Sequence, residues 1–487
     1  MTLQDDAAYR AISTHDARFD GRLFVGVTST RVYCRPVCRV RLPRRENCRF
    51  FANAALAEAH GFRPCLRCRP ELAPGLSLVD SSQALAQQAA RTIEQAAHDG
   101  RSLSMPRLAQ RMGVTDRHLR RIFQQHVGVA PIDYLTTQRL LLAKQLLTDT
   151  ALPVTQVALA SGFASLRRFN AAFAERYRMN PSGLRRARDD DAAQRTAGTT
   201  LRLRLAYRPP YQHDALLRFF AARALAGIEA VDAQGMRRTI ALPHRGRPLA
   251  GWLAWRFVPQ RHEVELALAP ALAPVTGALV QRVRQALDLD ADPARVDAVL
   301  AAMPFSPRPG IRLPGSFDGF ETAARVVLGQ QVTVKAACTL TARLVERFGE
   351  PVSTPFADLR HLFPRPEAIA GASADAIGSL GIVRQRVGAL QALARAVCDG
   401  TLELHRAAPL SETLQRLQAL PGIGQWSAQV IAMRVLCWPD AFPASDIGVL
   451  NALRTRDTAA AAEQAQAWQP WRSYAVMRLW QSLEETP

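Results

Sequence analysis

Four cysteines near the start of the chain have the spacing of a metal site. Cys34 and Cys38 are separated by three residues, Cys65 and Cys68 by two, and 26 residues lie between the pairs. A structural zinc site needs four such ligands, and two short cysteine loops supply them in pairs. Eight cysteines in 487 residues are too few for a disulfide scaffold. The sequence therefore predicts one Zn²⁺ held by four thiolates, with four unrelated buried cysteines as the alternative.

Arginines surround these cysteines. Residues 21–70 contain 11 Arg, no Lys, and only Glu46 and Glu58 as acids. Four thiolates on a divalent ion leave a net charge of about −2, which nearby guanidinium groups would stabilise. The same groups would attract a DNA backbone. An ordinary zinc ribbon needs no such excess, so we expect this segment to bind DNA.

Residues 18–71 resemble the zinc domain of the Ada family of methylphosphotriester-DNA repair proteins. The matching strings are F-x-G-R-L-F-V-G-V-x-S-T-x-V-Y-C-R-P-x-C, R-R-E-N-C-R-F-F and G-F-R-P-C-x-R-C. The resemblance implies that Cys34 is both a zinc ligand and the methyl acceptor. It also implies that Cys38, Cys65 and Cys68 complete the zinc site and that Arg35 and Arg45 contact DNA.

The residues themselves are compatible with methyl transfer. Metal ligation keeps a thiolate deprotonated at neutral pH. A methylated phosphate has lost its charge, so an anionic sulfur can approach it and displace the phosphate from the methyl group in line. A structural zinc without methyl transfer stays open as an alternative. Cys48 lies outside the ligand spacing and is predicted to be a small buried residue.

Length and charge frame the rest of the chain. A length of 487 residues suggests three or four domains. The formal net charge is +20, and residues 1–200 contain 30 basic and 17 acidic side chains. This asymmetry predicts a polyanion partner at the N-terminal end. No apolar run reaches the ~18 residues of a membrane span, and no secretory signal is evident. We therefore expect no membrane partner and a cytoplasmic, nucleoid-associated location.

Residues 84–188 have helical periodicity and a repeated pattern. Residues 108–123 and 157–170 each read as a short helix, a Gly turn, a cap residue and an Arg-bearing helix, which is typical of helix-turn-helix modules. The signature G-F-x-S-x-x-x-F-x-x-x-F-x-x-x-x-x-x-x-P, from Gly162 to Pro181, resembles the AraC-type DNA-binding domain. This resemblance implies two modules joined by a long helix over 132–147.

The second helix of each module supplies the candidate DNA-reading residues. The candidates are Thr115, Arg117, His118 and Arg121 in the first module, and Ser165, Leu166, Arg168 and Asn170 in the second. A phosphate contact or a solvated face is the alternative for any single Arg. Phe163, Phe169 and Phe173 are predicted to be core residues.

Residues 189–200 lack apolar periodicity and are predicted to be a linker. Beyond them, residues 201–205, 252–257 and 262–268 read as strands, and a helix is predicted through Phe219 and Phe220. The C-terminal part is helical. Its key string, Leu420-Pro-Gly-Ile-Gly-Gln-Trp-Ser-Ala428, stands between two helices and predicts a helix-hairpin-helix. A tight Gly turn before a helix lets backbone N–H groups approach a phosphate closely.

Residues 201–485 resemble the AlkA family of 3-methyladenine DNA glycosylases. The matching pieces are Y-R-P-P-Y at 207–211, L-G-Q-Q-V-T-V at 328–334, the hairpin, F-P-A-S-D at 442–446 and P-W-R-S-Y at 470–474. The resemblance implies a catalytic carboxylate on Asp446 and a monovalent cation at the hairpin. It implies a base pocket formed by Trp426, Trp480, Tyr211, Phe219 and Gln330. It implies DNA contacts at Gly422, Gly424 and Gln331, although Gln331 stands where the family's inserting residue is apolar.

The chemistry of base excision fits these residues. Positive charge develops on the sugar, and a carboxylate stabilises it and orients water. The alternative for Asp446 is a helix N-cap, and the two roles are compatible. Relatives that also cut the strand have a Schiff-base Lys where this hairpin has Trp426, and the two lysines of the chain, Lys144 and Lys335, lie elsewhere. We therefore expect a monofunctional glycosylase whose aromatic pocket attracts cationic alkylated purines.

The predicted fold is multidomain, mainly α with α+β parts. The predicted domains are a zinc domain (1–78), a double helix-turn-helix domain (84–188), a linker (189–200), an α+β domain (201–285) and a helix-hairpin-helix glycosylase domain (286–487). No Pro-Cys-His-Arg motif for a second methyl acceptor is present, and Cys338, Cys398 and Cys437 are predicted to be core residues.

The predicted function joins an alkylation sensor to an excision enzyme. The sensor accepts methyl groups from phosphotriesters and activates transcription, and the enzyme releases alkylated bases. The predicted partners are alkylated and promoter double-stranded DNA, and RNA polymerase during activation, with the chain acting as a monomer. The alternative is a pure regulator whose glycosylase fold is catalytically silent.

Overall fold

A computed structural model gives the structure of the protein. It describes residues 5–16, 19–20, 23–51, 54–68, 70, 78–100, 103–150, 152–186, 200–244, 246–305 and 308–484. The predicted linker 189–199 lies outside the described residues. The chain divides into two compact units, residues 1–94 with 103–135 and residues 95–102 with 136–487. No described helix is long and apolar enough to cross a membrane.

A four-stranded sheet of order β3-β1-β2-β4 forms the start of the first unit. Its elements are α1 (Asp5–Ser13), β1 (Phe24–Val27), β2 (Val32–Cys34), β3 (Cys48–Phe51), α2 (Ala54–Ala59) and β4 (Arg63–Pro64). Strand β1 needs a glycine at Gly26, because a Cβ there would lie 2.8 Å from the Phe51 ring. Tyr33 is fully buried and donates to Glu58 over 2.8 Å. This packing fixes the strand that ends at Cys34.

Among the described residues seven helices follow, in agreement with the helical periodicity of residues 84–188. Their bounds are α3 (Leu78–His98), α4 (Met105–Arg111), α5 (Asp116–Val127), α6 (Pro131–Asp149), α7 (Val154–Ala160), α8 (Leu166–Tyr177) and α9 (Pro181–Arg186). The hydroxyls of Thr115 and Ser165 accept hydrogen bonds from the backbone N–H groups of His118 and Arg168, which caps α5 and α8. Phe169 and Phe173 are fully buried and Phe163 is partly buried, as predicted for core residues.

The α+β region is a five-stranded antiparallel sheet of order β5-β9-β8-β7-β6. Its elements are β5 (Leu201–Ala206), α10 (His213–Ala221), β6 (Glu229–Val231), β7 (Gly235–His244), β8 (Arg247–Val258) and β9 (Glu263–Leu268). The three predicted strands are present, whereas β6 and β7 were not predicted.

The remaining chain is helical. The helices are α11 (Thr276–Ala286), α12 (Pro293–Leu300), α13 (Gly319–Leu328), α14 (Val334–Phe348), α15 (Pro366–Gly371), α16 (Ala374–Gly378), α17 (Arg384–Cys398), α18 (Leu410–Ala419), α19 (Gln425–Arg434), α20 (Ile447–Ala452), α21 (Thr458–Gln464) and α22 (Arg472–Glu484). Helices α18 and α19 flank the predicted hairpin turn.

A buried Arg–Glu tetrad ties the sheet to α13. Arg238 on β7 donates to Glu229 over 2.9 Å and to Glu321 over 2.6 Å. Arg325 binds the same two carboxylates, over 3.1 Å each. Two guanidinium groups thus face two carboxylates, which keeps the buried charges compensated. The tetrad fixes α13, whose C-terminal end leads to Gln330.

The buried carboxyl of Asp288 should make stability depend on pH. Its Oδ2 accepts hydrogen bonds from the Leu313 N–H (3.1 Å) and the Tyr474 hydroxyl (2.8 Å). Burial raises the pKa of Asp288 from 3.8 to about 6. Because the pKa of Asp288 is higher in the folded than in the unfolded state, the protonated carboxyl stabilises the fold. This contribution is complete below pH 3.8 and is lost as the pH rises through 6.

We predict that Asp288→Asn removes this pH dependence. Relative to the variant, the wild type should lose about 2 kcal/mol of unfolding free energy between pH 4 and pH 8. Urea denaturation at pH 4, 6 and 8 measures this, with the exposed helix-capping residue in Asp457→Asn as the control. Parallel curves for wild type and Asp288→Asn would contradict the prediction.

Candidate metal centre and candidate active cavity

The fold brings the four predicted zinc ligands together. One sulfur from each of Cys34, Cys38, Cys65 and Cys68 lies within 4.8 Å of the others, and all four residues are buried. Hydrogen bonding among the sulfurs raises the pKa of Cys34 and lowers that of Cys38 to about 4. A divalent ion at the centre of four buried sulfurs would replace their protons. The all-sulfur donor set fits Zn²⁺.

Exposure does not single out the methyl acceptor. Cys34 is 4% exposed, compared with 5% for Cys38 and 7% for Cys65. The role of Cys34 therefore stays a prediction that rests on the resemblance. Cys48 is 6% exposed, as predicted, and donates to the Arg44 carbonyl rather than joining the cluster.

The two arginines predicted to contact DNA in this domain have protein partners. Arg35 is 2% exposed and binds the Asp20 carboxylate, so its guanidinium is not presented to solvent. Arg45 lies near Asp5 and Asp6, and its Cζ is 5.2 Å from the centre of the Phe50 ring. Other arginines of the domain are exposed: Arg31, Arg39, Arg41, Arg44, Arg49, Arg63 and Arg67. They form the basic surface of the zinc domain.

The predicted DNA-reading residues lie on the accessible sides of α5 and α8. Arg117, Arg121, Arg168 and Asn170 are exposed, and His118 is partly exposed. Nδ1 of His118 is 3.2 Å from Nη2 of Arg121. Opposite faces of these helices are buried through Leu119 and Phe169. Each helix thus anchors one face and presents a polar one, as recognition helices do.

Asp446 is held by three N–H groups. Trp426 Nε1 donates to Oδ2 over 2.8 Å, and Trp480 Nε1 donates to Oδ1 over 2.9 Å. Oδ1 also accepts from the Val449 N–H over 3.0 Å, so Asp446 is the N-cap of α20. The capping role predicted as an alternative is therefore real, and it does not occupy all of the acceptor capacity of the carboxylate. Asp446 is 8% exposed, at the wall of a cavity.

Gly448, which sequence reasoning missed, lets Trp480 approach Asp446. A Cβ on Gly448 would lie 3.0 Å from Trp480 Cδ1 and 3.1 Å from Asp446 Oδ1. These are tighter than ordinary contacts, so a larger residue would displace the indole or the carboxylate. The only signal in the sequence is its position two residues after Asp446.

Gln330 links α13 to the hairpin. Its Nε2 donates to the Gly422 carbonyl and to Ser427 Oγ, each over 2.8 Å. Gly422 has φ +78°, and a Cβ there would lie 2.9 Å from Ala389. Around Gly424, in contrast, the protein leaves open space. Gln330 therefore holds the turn in place, and the Gly424 side of the turn stays accessible to a ligand.

The cavity beside Asp446 has a volume of about 1150 Å³. Of the predicted pocket residues, Trp426, Trp480, Phe219 and Gln330 line it, together with Gln331, which has a left-handed φ of +54°. Tyr211 does not line it. Tyr211 is buried beside Tyr207, its ring stacks on His213, and its hydroxyl donates to the Leu287 carbonyl. Its ring therefore belongs to an aromatic cluster and not to the cavity lining.

Phe219 lines the cavity, but cations already lie over its ring. Cζ of Arg223 is 3.8 Å from the ring centre and Cζ of Arg434 is 5.1 Å from it. Sequence reasoning predicted neither arginine. Arg434 shares a helix face with Trp426 and Val430 at intervals of four residues, and this spacing was the available signal.

The predicted burial of three further cysteines is largely wrong. Cys338 and Cys437 are partly exposed, and Cys398 is exposed in the last turn of α17. Cys437 has φ +53° and follows α19, so it lies in a loop rather than a helix. For Cys437 the helical periodicity was extended beyond the end of α19, whereas Cys338 and Cys398 lie on exposed sides of α14 and α17.

Four family models match consecutive segments of the chain. They are the metal binding domain of Ada (7–71), a helix-turn-helix domain (108–187), the AlkA N-terminal domain (202–318) and the HhH-GPD superfamily of base excision DNA repair proteins (324–469). Their order is the predicted order.

Similar proteins cover the whole chain or one half of it. A Mycobacterium tuberculosis protein, "Probable bifunctional transcriptional activator/DNA repair enzyme AlkA", is 38% identical over 98% of this chain and 96% of its own length. The Escherichia coli "DNA-3-methyladenine glycosylase 2" is 33% identical over 57% of this chain and 95% of its own length. The E. coli "Bifunctional transcriptional activator/DNA repair enzyme Ada" is 35% identical over 26% of this chain and 34% of its own length.

The full-length similarity and the four domain matches agree with the cysteine cluster, the paired helix-turn-helix modules and the hairpin beside Asp446. The chain belongs to the family of bifunctional transcriptional activator/DNA repair proteins in which an Ada-type metal-binding domain and a helix-turn-helix domain precede an AlkA-type DNA glycosylase.

Proposed function

We propose that this protein accepts methyl groups from DNA methylphosphotriesters on Cys34, activates transcription when methylated, and excises alkylated bases with Asp446. The observation that carries the excision half is the carboxylate of Asp446, oriented by two indole N–H groups at the wall of a cavity next to a helix-hairpin-helix. A fold that only held DNA would not need this arrangement. Incubation with alkylated DNA, followed by assays for methylated cysteine and for released bases, tests both halves.

Methyl transfer needs an anionic sulfur close to an uncharged phosphotriester. The Cys34 sulfur attacks the methyl carbon in line, the S–C bond forms, and the C–O electron pair returns to the phosphate. The products are a thioether and an ordinary phosphodiester, so each molecule reacts once. Zn²⁺ bound by the four cysteines would keep the attacking sulfur deprotonated. The exposed arginines of the zinc domain hold the neighbouring phosphates.

Methylation changes the charge of the DNA-facing surface. A thioether has one negative charge fewer than a thiolate. At ~5 Å and an effective dielectric constant of ~20, the lost repulsion is on the order of 3 kcal/mol per phosphate before salt screening. The methylated protein would therefore bind promoter DNA more tightly, with α5 and α8 reading the sequence. RNA polymerase is the proposed partner of the bound protein.

Base excision uses the cavity. The damaged nucleotide leaves the stack and enters beside Trp426 and Trp480. As the glycosidic bond breaks, the carboxylate of Asp446 stabilises the positive charge on the sugar, and water completes hydrolysis. Because Trp426 stands where a Schiff-base Lys would be required, the product is an intact abasic site. The proposed substrates include 3-methyladenine and 7-methylguanine. The same proposal includes a monovalent cation at the hairpin, a monomeric state and the domain limits given above.

Cys34→Ala should abolish methyl uptake, because the attacking sulfur is gone, and should weaken zinc binding. Base excision should remain normal, since it depends on Asp446. Mass spectrometry of protein treated with methylated DNA locates the methyl group. Cys48→Ala is the matched control, because Cys48 is equally buried but outside the cluster. A methyl group on Cys38 or Cys48 of the wild type would show that the acceptor is misassigned.

Methylated protein should bind a DNA site selected from random duplexes more tightly than unmethylated protein. The difference should shrink as salt rises, because the lost repulsion is screened. Fluorescence anisotropy at ~50 and ~300 mM salt, where the Debye length is roughly 14 and 6 Å, measures it. Arg168→Ala should weaken binding in both states, with Arg395→Ala on the remote helix α17 as the control. Equal affinities of the two states at low salt would refute the electrostatic switch.

Asp446→Asn should lower the release of 3-methyladenine by a factor of ~10²–10³, because an oriented charge is lost while size and capping capacity are kept. Folding and DNA affinity should change little. Asp457→Asn, which alters another helix cap, should excise normally. Near-normal release by Asp446→Asn would place the catalytic group elsewhere, and an adduct trapped by borohydride in the wild type would overturn the monofunctional assignment.

A further inference from the structure

The second helix-turn-helix module belongs to the same compact unit as the glycosylase half, residues 200–484. The boundary of this unit falls within α6, so that α7, α8 and α9 lie in it, whereas the first module belongs to the other unit. The residues that join α9 to β5 in sequence, 187–199, lie outside the described part of the chain. Contacts inside this unit show that the second module is packed against the glycosylase half.

Gly277 is a point of very close approach between the two parts. It is the second residue of α11. A Cβ there would lie 2.6 Å from the carbonyl oxygen of His98, 2.7 Å from Cδ2 of Leu142 and 3.4 Å from the carbonyl oxygen of Ala160. His98 ends α3, Leu142 lies on α6 and Ala160 ends α7, so three helices of the DNA-binding part meet one glycine. Only glycine fits, because two of the three neighbours are backbone atoms that cannot rotate away.

The helix ends that meet here have complementary partial charges. The carbonyl oxygens at the C-terminal ends of α3 and α7 are partially negative, and the N-terminal end of α11 is partially positive. Burial lowers the pKa of the His98 imidazole; the Asp99 and Asp290 carboxylates oppose this shift, and the Arg284 guanidinium adds to it. The imidazole is therefore neutral at pH 7, so the contact does not bury an imidazolium ion.

Helix α7 connects the glycosylase half with the recognition helix α8. It packs on α8 and also on the 3₁₀ helix Pro270–Val275, which directly precedes α11. Val157 and Ala160 of α7 are buried. They belong to a continuous hydrophobic core that also contains Phe169 of α8 and Leu203 of β5. Without the glycosylase half, part of this apolar surface would face water.

The second module has little core of its own. Helices α7, α8 and α9 span only residues 154–186. Segments shorter than about 40 residues rarely form a stable core alone. A helix of seven residues, such as α7, is not stable in water without tertiary contacts. The orientation of α8 therefore depends on α7, and the position of α7 depends on the glycosylase half.

We propose that the second helix-turn-helix module reads DNA only while it is docked on α11 and the 3₁₀ helix before it, so that the glycosylase half is a structural part of the promoter reader. The proposal rests on the DNA-reading role proposed above for α8. The excision enzyme then supplies the surface on which the module is held. A duplex bound by α8 is thereby attached to the same compact unit as Asp446.

Gly277→Leu in the full-length protein tests this docking surface, because a leucine has no room beside His98 and Leu142. Gly388→Leu is the matched control, since Gly388 also lies within a helix, α17, but a Cβ there meets nothing within 4 Å. Arg168→Ala shows the effect of losing an exposed side chain of α8. Each protein is first treated with DNA that contains methylphosphotriesters. Fluorescence anisotropy then compares a duplex selected by the wild type from random sequences with a scrambled duplex.

Gly277→Leu should lower the preference for the selected duplex ~10-fold or more, as when the base contacts of one helix are lost. Hydrogen exchange should increase in α7 and α8 but not in α22, because only the undocked module opens. Release of 3-methyladenine should stay within about threefold, since the described residues that line the cavity lie outside 270–286. Gly388→Leu should resemble the wild type in all three measurements.

If Gly277→Leu does not fold, Gly277→Ala replaces it, with Gly388→Ala as its control, because the Cβ alone meets the His98 carbonyl. Wild-type preference and exchange in the Gly277 variant would overturn the proposal. So would faster exchange throughout the glycosylase half together with lost excision, which would mean that Gly277 only supports that fold. A wild type that prefers no duplex, or Arg168→Ala that binds both duplexes as tightly as the wild type, would instead refute the reading role of α8. The two failures are therefore distinguishable.

Discussion

Both groups that we propose to react are anions that must act beside a polyanion. The Cys34 thiolate and the Asp446 carboxylate would be repelled by DNA phosphates unless local donors and cations offset the repulsion. The zinc domain does this with exposed arginines around buried sulfurs. The glycosylase domain does it with three N–H groups on one carboxylate and an open hairpin turn. Both solutions keep the anion fixed while the cationic or dipolar partner faces the DNA.

The buried Arg–Glu tetrad connects the sheet to this machinery. It joins β6 and β7 to α13, and α13 leads to Gln330, which binds Gly422 and Ser427. The position of the hairpin therefore depends on charges buried far along the sequence from it. Removing one member would leave an uncompensated buried charge, a change that typically destabilises a protein by about 3–5 kcal/mol. The AlkA-type N-terminal domain thus takes part in positioning the active cavity.

A similar physical link exists inside the first unit. Arg39, which follows the zinc-ligand position Cys38, is close enough to α5 for its charge, after burial, to lower the pKa of His126. The zinc loop and the first recognition helix are thus electrostatic neighbours. A charge change at the sulfurs would therefore occur near α5, as the proposed methylation-dependent activation requires.

Much of the fold could be predicted from sequence because its signals are local. The helix-turn-helix bounds follow from periodicity and from the capping residues Thr115 and Ser165, and the zinc ligands follow from spacing. The capping role of Asp446 was also readable, since it precedes an apolar helix, whereas its catalytic role stays a prediction. Strands β6 and β7 were missed because they alternate weakly between buried and exposed residues.

The remaining features depend on contacts between distant residues, which no local pattern contains. Arg35 sits in an arginine-rich segment but is buried against Asp20. Tyr211 lies in the motif that the family shares, yet its ring packs against Tyr207 and His213. Phe219 lies in the cavity, but its ring lies under Arg223, four residues further along, and under Arg434, which is distant in the sequence. In each case the side chain is of the expected type, and its partners in the folded chain decide where it lies and what it can bind.

If Cys34 and Asp446 act as proposed, joining the two activities in one chain has a consequence that follows from their stoichiometry. The S–C bond formed on Cys34 would not be broken again, so each molecule would register one phosphotriester. Asp446 would be regenerated after every hydrolysis, so each molecule could excise many bases. The single-use half would thus measure exposure to alkylation, while every molecule, methylated or not, would continue to remove damaged bases.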